Sequence, residues 1–326
     1  MDTVLRPMST SQVLDRTFSL YRQNFLLFAG IAALPPALLL LGQLGLVGAG
    51  TLSILSGRTG LQIAAIGAAV LTGMALMALW IFGYALCTGA SVYAVTRVHL
   101  DHKTSIAEAY KLMFPYAGTV LGIVVLAFLA VAGAVLAAAA VIGIPFLAIG
   151  FALKGQHLVV ALLPALAVLL FFPALLCAVL YISARLSLAV PSAVVERLGV
   201  IESLKRSWAL AQGSVLRLIL VNILAAVISF GLSAVLSLPY FIGIALALTK
   251  KSPAAMAPFI VWQYIGDFLA RSIAFPIATI AVSLIYYDER VRKEAFDLQL
   301  MMEAIRQPQP PPLQGEATPG APSTIG

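Results

Sequence analysis

The sequence predicts an all-α polytopic membrane protein with about six transmembrane helices, built as three repeats of an interfacial helix followed by two spans. Three observations carry that expectation. The chain of 326 residues is 61% hydrophobic and 10% charged, with a mean hydropathy of +1.02, whereas a soluble domain carries about a quarter charged residues. Charge-free runs such as Leu112 to Leu153 and Leu218 to Thr249 exceed the roughly 20 apolar residues that one spanning helix needs. Between such runs a short amphipathic pattern recurs at a spacing of 95 residues. Barrel strands would instead show alternating segments of about ten residues.

Composition also excludes several classes. Cys87 and Cys177 both fall inside apolar runs and read as small core side chains, with little support for a disulfide. The first 24 residues lack a short apolar region followed by a small-residue cleavage site, so they are expected to stay in the mature protein. The net charge of +7 is spread between spans, which fits membrane topology and not nucleic-acid binding.

Taken in order, Ser9 to Asn24 reads as an amphipathic helix with a stripe of Leu14, Phe18, Tyr21 and Phe25 and a capping box at Ser9 and Gln12. Such a helix is expected to lie in the membrane interface with its apolar face toward acyl chains. The first span follows from about Phe25 to Val47, with a kink expected at Pro35 and Pro36. A Gly/Ser loop holding Arg58 leads to a second span, about Gln62 to Val95. The second short helix, Asp101 to Pro115, carries the stripe Ala109, Met113, Tyr116 and Val120, with Ser105 and Glu108 as its capping pair.

The third span begins near Thr119 and is expected to break or protrude, Gly143 to Pro145 being the expected break, because its uncharged run is too long for one crossing. An outer loop at Lys154 to His157 precedes the fourth span, about Leu158 to Ile182. The third short helix follows Gly199 and Glu202, with the stripe Leu204, Trp208, Ala211 and Val215. A fifth span from about Leu216 to Leu248 contains Pro239. The sixth unit is interrupted by Asp267 and Arg271, and the span is expected to enter near Tyr264. The membrane domain covers residues 1–306, in units of about 9–100, 104–190 and 199–300, and the Pro-rich tail 307–326 is expected to be disordered.

Charge then assigns sidedness. Arg6, Arg16, Arg22, Arg97, Lys103, Lys111, Arg185, Arg197, Lys205, Arg206, Arg217, Arg290, Arg292, Lys293 and Arg306 fall on one side; Arg58, Lys154, Lys250, Lys251 and Arg271 fall on or near the other. Fifteen against five places the first side, with both termini and the three short helices, in the cytoplasm. Units with an even number of spans share one orientation about an axis along the membrane normal.

Patterns for catalysis, cofactors or metals are missing from the sequence. There is no Walker loop, HExxH, CxxC or GxSxG, and His99, His102 and His157 sit in loops on opposite sides. Asp288 and Glu289 read as the solvated start of a charged helix. Three Tyr-x-x-x-Arg pairs close apolar runs: Tyr93 and Arg97, Tyr181 and Arg185, Tyr286 and Arg290. Interfacial anchoring explains them; alternatively, bundling gathers the arginines into a site for an anionic headgroup. Asp267 and Arg271 form a second candidate, as an intramembrane ion pair.

Three segments carry a family resemblance: QVLDRTFSLYR from Gln12, ESLKRSW from Glu202 and YYDERVRKEAFDL from Tyr286. Together they resemble bacterial integral-membrane proteins grouped with the membrane domain of glycerophosphoryl diester phosphodiesterase, over about residues 9–300. The resemblance implies a multi-pass protein of the bacterial inner membrane. Some relatives are fused to a phosphodiesterase domain; residues 1–326 are not expected to include a separate catalytic barrel, so no phosphodiesterase residues transfer. The leading expectation is a non-enzymatic protein that organises membrane lipids or a cytoplasmic protein partner. The alternatives are a transporter or permease, and a membrane subunit of a separately encoded phosphodiesterase-like enzyme. The sequence does not specify an oligomeric state.

Overall fold

A computed structural model describes residues 8–56, 59–99, 103–152, 157–250 and 256–294. Arg6, Arg58, His102, Lys154, Lys251, Arg306 and the tail 307–326 lie outside the described residues. Within them the chain is helical and no strand occurs. Five helices are long and apolar enough to cross a membrane, or six if one bent pair is a single span. The order is α1 (Thr10–Gln23), α2 (Phe25–Ala32), α3 (Leu34–Ser56), α4 (Thr59–His99), α5 (Ile106–Met113), α6 (Ala117–Ala152), α7 (His157–Leu186), α8 (Ala189–Glu196), α9 (Val200–Leu210), α10 (Val215–Leu236), α11 (Leu238–Lys250) and α12 (Ala257–Glu294).

The bent pair is α2 with α3, which turn by 45°. Pro35 and Pro36 cannot donate to the carbonyls of Ile31 and Ala32, so the helix opens there. The Ile31 carbonyl accepts the Tyr110 hydroxyl at 2.7 Å instead. At the other expected break the outcome differs: α6 continues through Pro145 to Ala152. One proline removes one backbone bond, and at 36 residues α6 is about 54 Å long, more than the roughly 30 Å of the hydrocarbon core.

The three short helices form where expected. Ser9 caps α1 in a reciprocal box, with Gln12 N–H to Ser9 Oγ at 3.3 Å and Ser9 N–H to Gln12 Oε1 at 2.8 Å. Ser105 accepts from Glu108 N–H at 3.2 Å, and Gly199 N–H donates to Glu202 Oε2 at 3.2 Å. Their buried faces coincide only in part with the apolar stripes, which were expected to face acyl chains. In α1 the buried residues are Val13, Thr17, Leu20 and Tyr21, while Phe18 and Phe25 are exposed. In α9 they are Ser203, Ser207 and Leu210, and Trp208 is exposed. Small hydroxyl side chains take buried positions by donating to nearby carbonyls: Thr17 Oγ1 to Val13 O at 2.7 Å, Ser207 Oγ to Arg185 O at 2.6 Å. In α5 the stripe residues Ala109 and Met113 are buried.

The core gathers on α12, the most buried of the long helices, which packs against α1, α2, α3, α4, α8, α9, α10 and α11. Its 38 residues extend about 57 Å. Apolar Ile277, Ile280, Leu284 and Ile285 form its inward ridge and continue without a break into Asp288 and Glu289. Those acids therefore do not begin a new helix.

Candidate functional site

Two regions hold most of the polar chemistry: the charged end of α12 and a pair of cavities along its middle.

At the charged end, Asp288 and Glu289 are 2% and 4% exposed, which corrects the solvated-helix expectation. Asp288 accepts Met8 N–H at 2.6 Å and Arg292 Nε at 2.8 Å, and pairs with Arg217 Nη1. The Met8 carbonyl in turn accepts Arg217 Nη2 at 3.0 Å and Arg292 Nη2 at 2.6 Å. Glu289 pairs with Lys293 at 2.9 Å, and Lys293 also donates to the carbonyls of Leu210 and Gln212 at 2.5 and 2.6 Å. Lysine thereby supplies donors to the end of α9 that the helix itself lacks.

Beside this cluster, Glu196 at the end of α8 accepts the Tyr286 hydroxyl at 2.5 Å and pairs with Arg206 at 3.0 Å and Arg290 at 3.8 Å. Glu294 completes the group, 2.5 Å from Arg206 and 3.2 Å from Arg290. Burial opposes the charge of Arg206, but its hydrogen bonds to Glu196 and Glu294 outweigh it and raise its pKa above the ordinary arginine value. Tyr287 reaches Thr96 of α4 at 2.9 Å. One helix end thus joins the chain before α1 to α4, α8, α9 and α10.

The three Tyr-x-x-x-Arg arginines each have partners of their own. Arg97 pairs with Glu108 at 3.2 Å, fastening α4 to α5. Arg185 donates to the Tyr181 hydroxyl at 2.9 and 3.1 Å and to the Trp208 carbonyl at 3.0 Å, and its guanidinium lies over both rings at 5.2 and 4.9 Å. Arg290 lies 5.9 Å from the Tyr286 ring within the Glu196 and Glu294 cluster. Tyr93 is half-buried and packs against the core. The pairs act as clasps to neighbouring helices, and no shared acceptor links Arg97 to Arg185 among the described residues.

Asp267 and Arg271 both lie inside α12, but among the described residues no ion pair joins them. Asp267 Oδ1 accepts from Gln263 Nε2 at 3.4 Å, and the same nitrogen donates to Ser237 Oγ at 3.1 Å. Arg271 turns instead to a cavity of about 230 Å³ walled by Ala32, Pro35, Pro36, Trp80, Tyr84 and Ser233.

The larger cavity, about 430 Å³, lies between α4, α6, α7, α10 and α12, with Val190 and Pro191 of α8 along it. Its walls are mostly apolar, including Ile123, Ala127, Val131 and Val282, with Thr88, Ser187, Asn222 and Thr279 as polar points. Trp80, Tyr84 and Phe275 border both cavities. Tyr84 and Phe275 meet edge to face at 5.3 Å between them.

The sequence did not reveal the cavities, Glu196, Arg217 or the clasp on Met8. The spacing Asp288, Arg292 and Glu289, Lys293 was readable as i,i+4 pairing; its burial was not. Both cysteines are free thiols. Among the described residues no group of three or more His, Cys, Asp or Glu could hold a metal ion. No family model, curated protein or solved structure matches this chain. Fold and site together define an all-α membrane protein with an apolar chamber in its helical bundle and a charged, cross-linked end.

Proposed function

We propose that this is a multi-pass protein of the bacterial cytoplasmic membrane that holds a lipid tail inside its bundle, without catalysis, and offers its charged end to cytoplasmic partners. The larger cavity is the observation that carries this reading. Its volume lies within the roughly 300–1,000 Å³ of small-molecule sites, and its apolar walls with a few hydroxyl and amide groups suit an acyl chain. Sidedness rests on the fifteen-against-five distribution of Lys and Arg. Three units of one short helix and two spans, with the caps Ser9, Ser105 and Gly199 at their starts, are the architecture we infer. The resemblance to the membrane domain of glycerophosphoryl diester phosphodiesterase supports the membrane role and contributes no activity.

Native mass spectrometry of protein extracted in mild detergent tests the reading. Wild type is expected to retain one lipid, and Ala127→Phe with Ala278→Phe to lose it while remaining folded. Equal retention by both proteins overturns it. Loss in a folded Arg97→Gln, Arg185→Gln, Arg290→Gln variant would move the lipid to the arginines.

A permease is the second reading, favoured by two neighbouring cavities that share Trp80, Tyr84 and Phe275 in their walls. It requires substrate flux into proteoliposomes, reduced in Asp267→Asn.

A further inference from the structure

We propose that Arg271 is the headgroup contact for an anionic lipid, carboxylate- or phosphate-headed, whose tail passes Tyr84 and Phe275 into the larger cavity. This rests on the reading that the larger cavity holds a lipid tail. Arg271 stands about 25 Å along α12 from Asp288 and about 13 Å from Trp262 at 1.5 Å per residue. Trp262 hydrogen-bonds the last carbonyl of α10, Leu236, at 2.9 Å, as an indole at the membrane interface would. By that measure the arginine falls inside the candidate span Pro258–Glu294, and it is exposed there.

A guanidinium at that depth is costly unless something anionic or a water-filled space receives it. Its one acidic neighbour on α12, Asp267, is engaged by Gln263. Among the described residues Arg271 has neither an ion pair nor a hydrogen bond. It does line the smaller cavity, beside the α2 and α3 bend, where Pro36 leaves the Ala32 carbonyl without its helical donor. Ser229, another wall residue, spends its hydroxyl on Ala225 O at 2.7 Å. The planar fork of arginine is suited to two-point contact with a carboxylate or phosphate.

Length agrees with one lipid tail. Arg271 to Val282, the last α12 residue of the larger cavity, is about 16 Å along the helix, close to half of the roughly 30 Å hydrocarbon thickness. At the far end the tail meets α8, whose residues Ala189 to Val194 are all buried and whose Glu196 is held by Tyr286, Arg206 and Arg290. The charged end lies beyond that wall, its cations already held by carboxylates; the headgroup belongs at the Arg271 end.

Trp80 borders both cavities and reports the test. The purified full-length protein is titrated with bromine-labelled hexadecanoic acid and with the corresponding alcohol, which quench tryptophan on contact. Wild type is expected to bind the acid about tenfold more tightly than the alcohol. In Arg271→Gln the two affinities become equal, that for the alcohol being unchanged, and Arg271→Lys recovers part of the preference. Ala278→Phe weakens both ligands. Equal affinity of wild type for acid and alcohol, with both weakened by Ala278→Phe, overturns the headgroup role and leaves the tail cavity standing. Quenching by neither ligand in wild type, or by both to the same extent in Ala278→Phe, overturns the cavity reading as well.

Discussion

Replacing Asp288 by Ala is expected to cost about 3 kcal/mol of stability. The Asp288 side chain is fully buried and its Arg217 partner is 13% exposed, so water cannot replace either one well. Removing one member of such a pair costs roughly 3–5 kcal/mol, mostly from the charge left behind. Two features favour the low end. Glu289 stands 3.9 Å from Arg217 and can take up part of its charge, and Arg292, the other cation, is 41% exposed and retains water. Arg217 Nε is already buried without a partner, which limits how far the guanidinium can rearrange. The assay is equilibrium unfolding in mixed micelles, followed by tryptophan fluorescence, with thiol labelling of Met8→Cys as a local readout. Asp288→Ala is expected to release the Met8 segment and increase labelling. The double variant Asp288→Leu, Arg217→Met should recover most of the stability, since an apolar pair removes the stranded charge. A loss below about 1 kcal/mol, the range of exposed ion pairs, with unchanged Met8→Cys labelling, would refute the claim that this network is buried and structural.

The exposed counterpart gives a contrast: Arg97 and Glu108 side chains are 34% and 37% exposed, so Glu108→Gln should cost at most about 1 kcal/mol and depend on salt, measured in the same unfolding assay. Gly89 permits close approach of α4 and α5, because an added Cβ would stand 2.3 Å from the Met113 terminal methyl carbon. Gly89→Ala is expected to cost about 1–3 kcal/mol, and Gly89→Ala with Met113→Ala less than the two single changes summed, read as a double-mutant cycle. Arg185→Lys keeps the charge but loses the fork on Tyr181 and the stacking on Trp208; about 0.5–1 kcal/mol and a shift of Trp208 emission are expected, while emission like that of wild type would argue against the stack.

Much of the fold was legible because the bilayer makes composition decisive. Apolar runs long enough to cross a membrane must become helices, since lipid offers no partner for free backbone groups. The caps at Ser9 and Ser105 were equally local, each needing only a hydroxyl oxygen three residues before the N–H that donates to it. Pro35 and Pro36 announced their bend because two successive donors are missing; the single Pro145 did not break its helix. The helix faces were less legible. The stripes were expected to face acyl chains, and Phe18 and Trp208 are exposed; the protein-facing positions are held by Thr17 and Ser207, which bond to carbonyls and are not marked by apolar spacing.

Sequence by itself determined the class of protein and its long apolar helices, because these follow from hydrophobicity along the chain. Tertiary structure alone decided that Asp288 and Glu289 are buried, that Met8 is clasped, and that Arg271 faces a cavity instead of Asp267. Each depends on side chains separated by many residues: Met8 with Asp288, Glu196 with Tyr286, Ala32 with Arg271. No local pattern encodes such pairs, because whether a charge is solvated or paired depends on which helices pack against it.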